Sequence, residues 1–510
     1  MGDGRAGPLG YFLLRCTLFN KRNVRSVTVT KILYGMTSLV LCFVMTTSAA
    51  ETEGVAADGA KLYQTNCAQC HGAELQGGNA QSLVDGVWQF GAGKWGMAST
   101  IQQGITHLGM PAFGLSLANG ELDAIIDFLL EQEKAYDPQP RPLPQTIQSQ
   151  EYDIAVELVA SELEIPWAID FLDEHTALIT ERPGRLRVLR DGVLMATPVA
   201  DTPEVVHEGQ GGLMDVAVDP EFGDNGWIYL AYSHALESKR DGDDRLATMT
   251  RIVRGHIDGN IWTDEQVLFE APHETYITTR HHYGSRIVFD AAGDLYFSIG
   301  DRGRRPMAQD VSKPNGKVHR IHRDGTIPQD NPFVSHPPNA LPSIFSYGHR
   351  NPQGLAIHPE TDILWDTEHG PMGGDEVNAI RAGRNYGWPE ISYGRNYNGS
   401  ILTRFEAKPG MEQPTYFYRP SPGLCGLDIY HGDEFPKWRG HLFVGALKYE
   451  SVELLTVAED RVLHAETIVK NLGRVRDVAV GPEGAVYVVL NGPDRIIRLT
   501  AIVDRIEATQ

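Results

Sequence analysis

Residues 354–368 read GLAIHPETDILWDTE: a short apolar strand, a turn built on Pro and Asp, and a second apolar strand. Alternation of apolar and polar positions is typical of β-strands, and the turn residues predict a hairpin. Five more segments repeat this pattern: AIDFLDEHTALIT (168–180), DVAVDPEFGDNGWIYLAYS (215–233), RIVFDAAGDLYFSIG (286–300), GLDIYHGDEFPKWRGHLFVGAL (426–447) and DVAVGPEGAVYVVL (477–490).

The six copies start 47 to 72 residues apart, and no long helical pattern separates them. This spacing disfavours a βαβ fold and is typical of propeller blades. A large β-sandwich would not explain the repetition. We therefore predict an all-β six-bladed β-propeller over residues 152–510.

Composition limits the class of partner. The chain has 510 residues and a formal net charge of -21, which argues against nucleic acid as the main partner. Its five cysteines include two in the leader and two in one CxxCH motif, so they predict no disulfide framework. The remaining one, Cys425, is predicted to be a buried free thiol.

Residues 1–50 resemble an export signal. Basic residues precede an apolar run from Ile32 to Met45, which ends in TTSAA. This order of basic, apolar and small residues is that of a secretory signal peptide, and the run is short for a membrane span. The sequence therefore predicts a periplasmic or secreted protein without a transmembrane anchor.

The motif CAQCH at residues 67–71 predicts covalently bound haem c. The thiols of Cys67 and Cys70 would attach the haem, and His71 would ligate its iron. A zinc site would need further ligands, and a redox dithiol would leave the histidine without a role. Met110, in the segment GMPAF, is the predicted second axial ligand, with Met97 and His107 as alternatives.

Residues 51–136, which contain the CxxCH motif, resemble class I cytochrome c. An amphipathic helix is predicted over Glu121–Lys134, after the CxxCH helix and the methionine loop. A Pro-rich segment then predicts a semi-stiff linker. The predicted organisation is a leader (1–50), an all-α cytochrome c domain (51–136), a linker (137–151) and the propeller (152–510).

Polar residues occupy equivalent positions next to the hairpins of different blades, where propeller loops converge on one axial mouth. Arginine and lysine side chains there could bind carboxylates, the carbonyls of Gly370 and Pro371 could bind calcium, and His282 could act as a general base. The positions that face this mouth include Gln210, His281, His282, Arg350, Asn351, Lys448, Arg474 and Arg476.

Residues 152–500 resemble the soluble dehydrogenases that use pyrroloquinoline quinone (PQQ), in the glucose/sorbosone dehydrogenase family. The shared motifs are IPWAIDF, TERPGRL, GQGGLMDVAVDP, HYGSRIVFD, GTIPQDNPF, YGHRNPQGLAIHP, EHGPMGGDEVN, NYGWP, FVGALK and RVRDV. The resemblance implies a six-bladed propeller with PQQ over its axis.

Residue roles follow from this resemblance. His282 would take the proton of the anomeric hydroxyl while hydride passes from the sugar C1 to C5 of PQQ, and Arg350 would stabilise the reduced quinone oxygen. The carbonyls of Gly370 and Pro371 would hold one calcium ion, and Glu376 and Tyr386 a second. The resemblance implies PQQ contacts by Gln210, Arg350, Asn351, Tyr397, Lys448, Arg474 and Arg476.

One position departs from the glucose-specialised branch, in which an Asp precedes the catalytic His. Here that residue is His281, so another group must orient His282, or the proton must take another route. The sequence predicts an aldose dehydrogenase that passes electrons to its own haem, then to a soluble cytochrome or a terminal oxidase. The alternatives are a PQQ enzyme for sorbosone or another alcohol, a non-enzymatic binding propeller, and a calcium-dependent lactonase.

Overall fold

The computed structural model describes residues 58–75, 77, 80, 82–84, 93–105, 109–135, 142–335, 337–397 and 399–502. The predicted leader lies outside these residues, as does His107. No helix in the described part of the chain is long and apolar enough to cross a membrane.

The N-terminal segment is helical, as predicted. Asp58 begins its first helix by accepting a hydrogen bond from the amide of Lys61 at 3.2 Å, which satisfies a free N–H group of the first turn. Buried apolar residues of the longest helix recur three or four positions apart, so one face packs on a shared core. The helices are α1 (Gly59–Asn66), α2 (Ala68–His71), α3 (Gly93–Gln103) and α4 (Asn119–Ala135).

The rest of the described chain forms six antiparallel sheets, which confirms the six-bladed propeller. Blade one contains β3 (Pro166–Asp173), β4 (Thr176–Glu181), β5 (Arg185–Arg190) and β6 (Val193–Leu194). Blade two contains β7 (Leu213–Val218), β8 (Ile228–Ala235), β9 (Thr248–Asp258) and β10 (Ile261–Phe269), with α5 (Phe222–Asn225) in its first turn. Blade three contains β11 (Ile287–Phe289), β12 (Asp294–Ile299), β13 (Lys317–His322) and β14 (Ile344–Tyr347).

The remaining blades follow the same order from the axis outward. Blade four contains β15 (Pro352–Ile357), β16 (Leu364–Glu368), β17 (Asp375–Ile380) and β18 (Tyr416–Tyr418). Blade five contains β19 (Leu424–Ile429), β20 (Leu442–Ala446), β21 (Ser451–Ala458) and β22 (Arg461–Lys470). Blade six contains β23 (Arg474–Val480), β24 (Val486–Asn491) and β25 (Arg495–Ala501), together with β1 (Thr146–Gln148) and β2 (Asp153–Ala160).

Blade six closes the ring because it combines both ends of the propeller sequence. The strand β2 pairs with β25 in antiparallel register, with Val156 opposite Leu499. Hydrogen bonds between the first and last strands leave no open seam between blade one and blade six, so the propeller closes as one cooperative unit.

Aspartates of the innermost strands link neighbouring blades around the axis. Each accepts a hydrogen bond from a backbone N–H of the next blade's innermost strand, which satisfies a donor near the axial cavity of about 560 Å³. The pairs are Asp170 with Val218 (2.7 Å), Asp215 with Ile287 (2.6 Å), Asp428 with Val480 (2.7 Å) and Asp477 with Ile169 (3.3 Å).

All innermost strands run in the same direction through the propeller. The N-terminal ends of β7, β11, β15 and β23 therefore meet at one face, and the C-terminal ends of the adjacent strands β12, β16 and β20 meet there too. Because the predicted site residues lie at these ends, the topology brings residues from distant parts of the sequence to a single mouth.

Candidate active site

His282 and Asp301 form the centre of the site. The Nδ1 of His282 lies 2.6 Å from Oδ1 of Asp301, which follows β12. The indole Nε1 of Trp388 donates to Oδ2 of the same carboxylate at 2.8 Å, and the amide of Gly303 donates to Oδ1 at 2.7 Å. Asp301 is thus the group that orients His282, the role that the sequence left open.

This contact assigns the two ring nitrogens of His282 different tasks. With Nδ1 facing a carboxylate, the neutral ring carries its proton on Nδ1 and leaves the Nε2 lone pair free. Burial, followed by the nearby charge of Arg350, lowers the pKa of His282 to about 4, although Asp301 acts in the opposite direction. The imidazole is therefore neutral at physiological pH, and its side chain remains 14% exposed to a ligand.

The backbone around His282 is fixed by two other predicted site residues. His282 has a φ of 57°, in the left-handed region that few non-glycine residues adopt, and its N–H donates to Oε1 of Gln210 at 2.7 Å. The N–H of Gly284 donates to Oδ1 of Asn351 at 3.2 Å. Gln210 and Asn351 therefore support the histidine segment, whatever contacts they make with a ligand.

Arg350 is buried beside this histidine, and no carboxylate in the described part of the chain contacts its guanidinium. Its Nη1 donates to the carbonyl of His369 at 2.7 Å and its Nη2 approaches the hydroxyl of Tyr397 at 3.4 Å. Its backbone N–H is held by Glu368. Tyr397 therefore lies beside Arg350 at the site mouth, and the positive charge of Arg350 is left available for an anion.

A second arginine group approaches from blade six. The Nη1 of Arg476 lies 3.3 Å from Oε1 of Gln353 and 3.4 Å from Sγ of Cys425. Burial and then the neighbouring Arg476 lower the pKa of Arg474, and burial lowers that of Lys448. Cys425 is buried and free, as predicted, but it also contacts a predicted cofactor ligand.

Arg182 is a site residue that was not predicted from the sequence. Its guanidinium donates to the carbonyls of Gly209 and Gly211, which flank Gln210. Burial, then repulsion by Arg476, lowers its pKa to about 10. Repulsion among neighbouring cations is relieved by a bound polyanion, so this site fits a ligand with several carboxylates such as PQQ. Arg182 lies inside the quoted TERPGRL motif, which was the one signal that pointed to it.

Gly370 and Pro371 form a tight turn beside these cations. The amide of Gly370 donates to Oδ1 of Asp375 at 2.8 Å, and a Cβ at this position would lie 2.0 Å from the carbonyl oxygen of Gly374, so glycine is required. The carbonyl of Pro371 accepts from the Ser421 hydroxyl at 3.1 Å and keeps a second lone pair. These carbonyls fit a calcium ion at the site mouth.

A separate acidic cluster lies on blade four, around predicted calcium ligand Glu376. It contains His349, Asp366 and Glu368, whose ligand atoms lie within 4.8 Å of one another. Glu376 pairs with Glu368 across two strands. Sequence patterns did not point to His349 or Asp366, because each of them alone is typical of a core or strand-end residue.

Unpaired oxygen atoms in this cluster indicate a cation. Oδ2 of Asp366 and Oδ1 of Asn378 are buried without a hydrogen-bond partner in the described residues. Burial, then Glu368, raises the pKa of Asp366 well above its usual value. The ring of Tyr386 stacks on that of His349 with centroids 4.8 Å apart, so Tyr386 lies beside the cluster, and its role as a calcium ligand stays a prediction. Such a set of oxygen donors fits calcium.

Cys67, Met97 and Met110 all contact the hydrophobic core of the N-terminal helices. Met97 is buried on α3 with 3% exposure, so its thioether is explained by packing. Met110 is only partly buried and forms a two-way backbone pair with Ile105, at 2.9 and 3.2 Å. Burial, then Cys70, raises the pKa of Cys67 to about 11. Met110 therefore remains the predicted axial ligand.

Two family models match the chain. Residues 163–498 match the model described as glucose/sorbosone dehydrogenase. Residues 54–129 match the model described as cytochrome c oxidase, cbb3-type, subunit III. The two matches fall on the propeller and on the helical segment that carries CxxCH, so they agree with the two folds seen here.

Individual proteins show the same likeness. The aldose sugar dehydrogenase YliI of Escherichia coli (strain K12) is 40% identical over 341 residues, which cover 66% of this chain and 89% of that protein. Quinoprotein glucose dehydrogenase B of Acinetobacter calcoaceticus is 29% identical over 317 residues, covering 57% and 63%. The crystal structure of soluble aldose sugar dehydrogenase from Escherichia coli in the apo-form has a TM-score of 0.63 and 36% identity, covering 68% of this chain and all of that one.

Proposed function

The chain belongs to the glucose/sorbosone dehydrogenase family of PQQ-dependent oxidoreductases and carries a cytochrome c domain, and we propose that it is an exported quinohaemoprotein that oxidises aldoses at C1 to lactones. The observation that supports this proposal is the His282–Asp301 pair beside Arg350 and Arg476, neither of which contacts a carboxylate among the residues that the structure describes. A lactonase or a binding propeller would not need this combination.

The proton step belongs to His282. Its free Nε2 takes the proton of the C1 hydroxyl, and Asp301 stabilises the imidazolium that results. When bound, PQQ supplies the acceptor for the hydride that leaves C1, so loss of the proton and hydride converts the hemiacetal carbon into the lactone carbonyl. Arg350 stabilises negative charge that develops near the histidine.

The cofactor would be held by the chain's own cations. Arg350, Arg474 and Arg476 provide charges for its carboxylates, with Lys448, Gln210, Asn351 and Tyr397 placed around the same mouth. Calcium at the carbonyls of Gly370 and Pro371 would polarise the acceptor, and a second ion in the Glu376 cluster would fix blade four.

Electrons then leave through the cytochrome c domain. The haem would be attached by Cys67 and Cys70 and ligated by His71 and Met110, and a soluble cytochrome or a terminal oxidase would take the electrons onward. The leader would direct the protein to the periplasm or the medium, where sugar and acceptor meet.

The experiment is a stopped-flow measurement of the haem spectrum in purified apo-protein. PQQ and calcium are added, and the protein is mixed with an aldose panel without any dye. Reduced haem that requires PQQ, calcium and sugar together is the expected result. If neither the haem nor an artificial dye is reduced by any sugar, the dehydrogenase assignment is wrong. Lactone is identified by chromatography of the product.

A further inference from the structure

An exposed surface of mixed apolar and cationic character borders the mouth of the site. Its apolar members are Met372, Tyr397 and Ile401, whose exposed fractions are 45, 69 and 64%. Large apolar side chains that lie together in solvent indicate an interaction surface. We call this surface the rim patch; its full set is Arg304, Arg305, Met372, Arg395, Tyr397, Ile401 and Arg404.

Hydrogen bonds connect the loops that carry the rim patch. The guanidinium of Arg305 donates to Oδ1 of Asn396 at 2.8 Å, which joins the loop after Asp301 to the loop around Tyr397. Met372 and Arg395 exchange two backbone hydrogen bonds, at 3.0 and 3.1 Å. The side-chain amide of Asn396 donates to the carbonyl of Ile401 at 3.3 Å, and the N–H of Ser392 donates to the carbonyl of Phe405, next to Arg404, at 3.1 Å. These contacts hold the loops of the rim patch together.

The rim patch also touches the site itself. The hydroxyl of Tyr397 lies 3.4 Å from Arg350, and Met372 directly follows Pro371. An electron carrier bound to the rim patch would lie beside the proposed PQQ site at Arg350. That short separation is what electron transfer between two redox groups requires.

The charge of the rim patch is not neutralised locally. Within the described residues, Arg304, Arg305, Arg395 and Arg404 are exposed and form no ion pair. Neighbouring Arg419, by contrast, pairs with a glutamate at 3.0 Å. Four unneutralised arginines on a chain of net charge -21 form a local positive field that attracts an acidic partner.

The cytochrome c domain of this chain has the matching properties. Residues 51–136 contain ten acidic and three basic side chains, a formal charge of -7. Leu115, five residues after Met110, is fully exposed, and Trp95 is 66% exposed. An acidic domain with exposed apolar residues near its predicted axial ligand is complementary to the rim patch in both charge and polarity.

The direction of the chain allows this contact. In blade six, β1 runs parallel to β23, and β23 begins at the site face with Arg474. The chain therefore reaches β1 from the site face. Leu143 already packs on the propeller core, so the tether spans residues 136–142, at most about 28 Å between flanking Cα atoms. The helix α4 before it adds about 25 Å.

We infer that the rim patch is the docking surface for the chain's own cytochrome c domain during electron transfer. The inference rests on the proposed function and adds where the haem domain binds. Arginines of the rim patch attract the acidic domain, and Met372 and Ile401 contact its apolar residues. Weak, reversible docking is sufficient, because the tether keeps the local concentration of the domain high.

The test separates sugar oxidation from transfer to haem. The variant is Arg395→Glu with Arg404→Glu in the full-length protein loaded with PQQ, calcium and haem. Sugar oxidation is followed with a small uncharged benzoquinone, and haem reduction by stopped flow. The matched control is Arg190→Glu, at the C-terminal end of β5 on the opposite face. Ile401→Ser tests the apolar part separately.

We expect haem reduction to slow about tenfold in the double variant, with benzoquinone reduction within about twofold of the unmodified protein. Added salt slows haem reduction in the unmodified protein and has less effect in the variant. Equal loss of both rates would assign the rim patch to the sugar or PQQ site and overturn the inference. Unchanged haem reduction in both rim variants would also overturn it.

The proposed function has its own failure signals in this assay. Benzoquinone reduction without haem reduction in the unmodified protein would refute the internal relay, and the docking surface with it. No reduction of either acceptor would refute the dehydrogenase itself. Slower haem reduction only in rim variants is the result that supports both.

Discussion

Replacing Asp301 by Asn tests how the site prepares its base. The two carboxylate oxygens of Asp301 accept from three donors: His282 and Gly303 at Oδ1, and Trp388 at Oδ2. Asparagine keeps the shape but offers one oxygen. If that oxygen stays on the His282 side, the new NH₂ group faces the indole N–H of Trp388, and one hydrogen bond is lost.

The magnitude follows from what the charge does for His282. A hydrogen bond to a charged group contributes about 1.5–3 kcal/mol, and the contact between His282 and Asp301 becomes an ion pair when the imidazole takes up the extra proton, so we expect the transition state to lose about this much in the variant. Since 1.36 kcal/mol corresponds to a factor of ten, kcat is expected to fall roughly 10- to 150-fold. If the amide rotates and reverses the tautomer, the loss rises toward about 10⁴-fold.

The assay is steady-state oxidation of an aldose with benzoquinone, across pH, in PQQ-loaded protein. Because Asp301 raises the pKa of His282 against the stronger effects of burial and Arg350, its removal moves the acid limb of kcat/KM below its starting value near 4. The matched control is Asp224→Asn, an exposed aspartate in α5. PQQ affinity should stay within about threefold of the unmodified protein, because Asp301 is not a cofactor ligand.

Full activity of the Asp301→Asn protein at neutral pH would refute the assignment of His282 as a carboxylate-oriented base. A fall in activity that is matched by an equal fall in PQQ affinity would show that Asp301 acts on cofactor binding instead. In either case the proton route would have to be assigned to another group.

Four further outcomes are expected. Arg476→Gln weakens PQQ binding about tenfold or more in a fluorescence titration, and an unchanged Kd would remove it from the cofactor site. Chelation lowers the Tm of the unmodified protein and calcium restores it, whereas Glu376→Gln loses the part of this response that comes from the second ion. Each saturating calcium ion contributes up to about 4 kcal/mol at 1,000 times its Kd, and an unchanged response in the variant would remove Glu376 from a calcium site. Met110→Ala lowers the haem potential, while Met97→Ala lowers stability by about 2–5 kcal/mol with the potential kept. Arg286→Met removes the cation that pairs with the buried carboxylates of Asp215 (2.9 Å) and Asp477 (2.7 Å). It is expected to lower the free energy of unfolding in urea by about 3–5 kcal/mol.

The haem motif and the propeller were predictable because their signals are local. Residues 67–71 contain both thiols and the histidine within one helical turn, so no tertiary contact is needed to read them. Each blade likewise repeats its strand–turn–strand pattern within one continuous segment, and the structure confirms the six blades. Positions next to the strands also drew attention to Gln210, His282 and Asn351, and the structure joins them by hydrogen bonds, while their roles toward a cofactor stay predictions.

The partners of those side chains were not predictable. Asp301 stands 19 residues from His282, and Trp388 a further 87 residues on; no spacing rule connects them. Their meeting depends on how blades three and four sit around the axis. The cation site around Asp366 was likewise not predictable. Its Oδ2 atom indicates a cation only because the structure buries it without a hydrogen-bond partner among the described residues.

The sequence by itself determined the architecture and the kind of chemistry, because hydrophobic periodicity, turn residues and the CxxCH motif act over short stretches of chain. Only the tertiary structure decided the group that orients the base, the residues that lie with Glu376 in the second cluster, and the exposed rim patch. The side chains that form these features lie far apart in the sequence, and their distances, burial and unpaired charges exist only after the chain has folded.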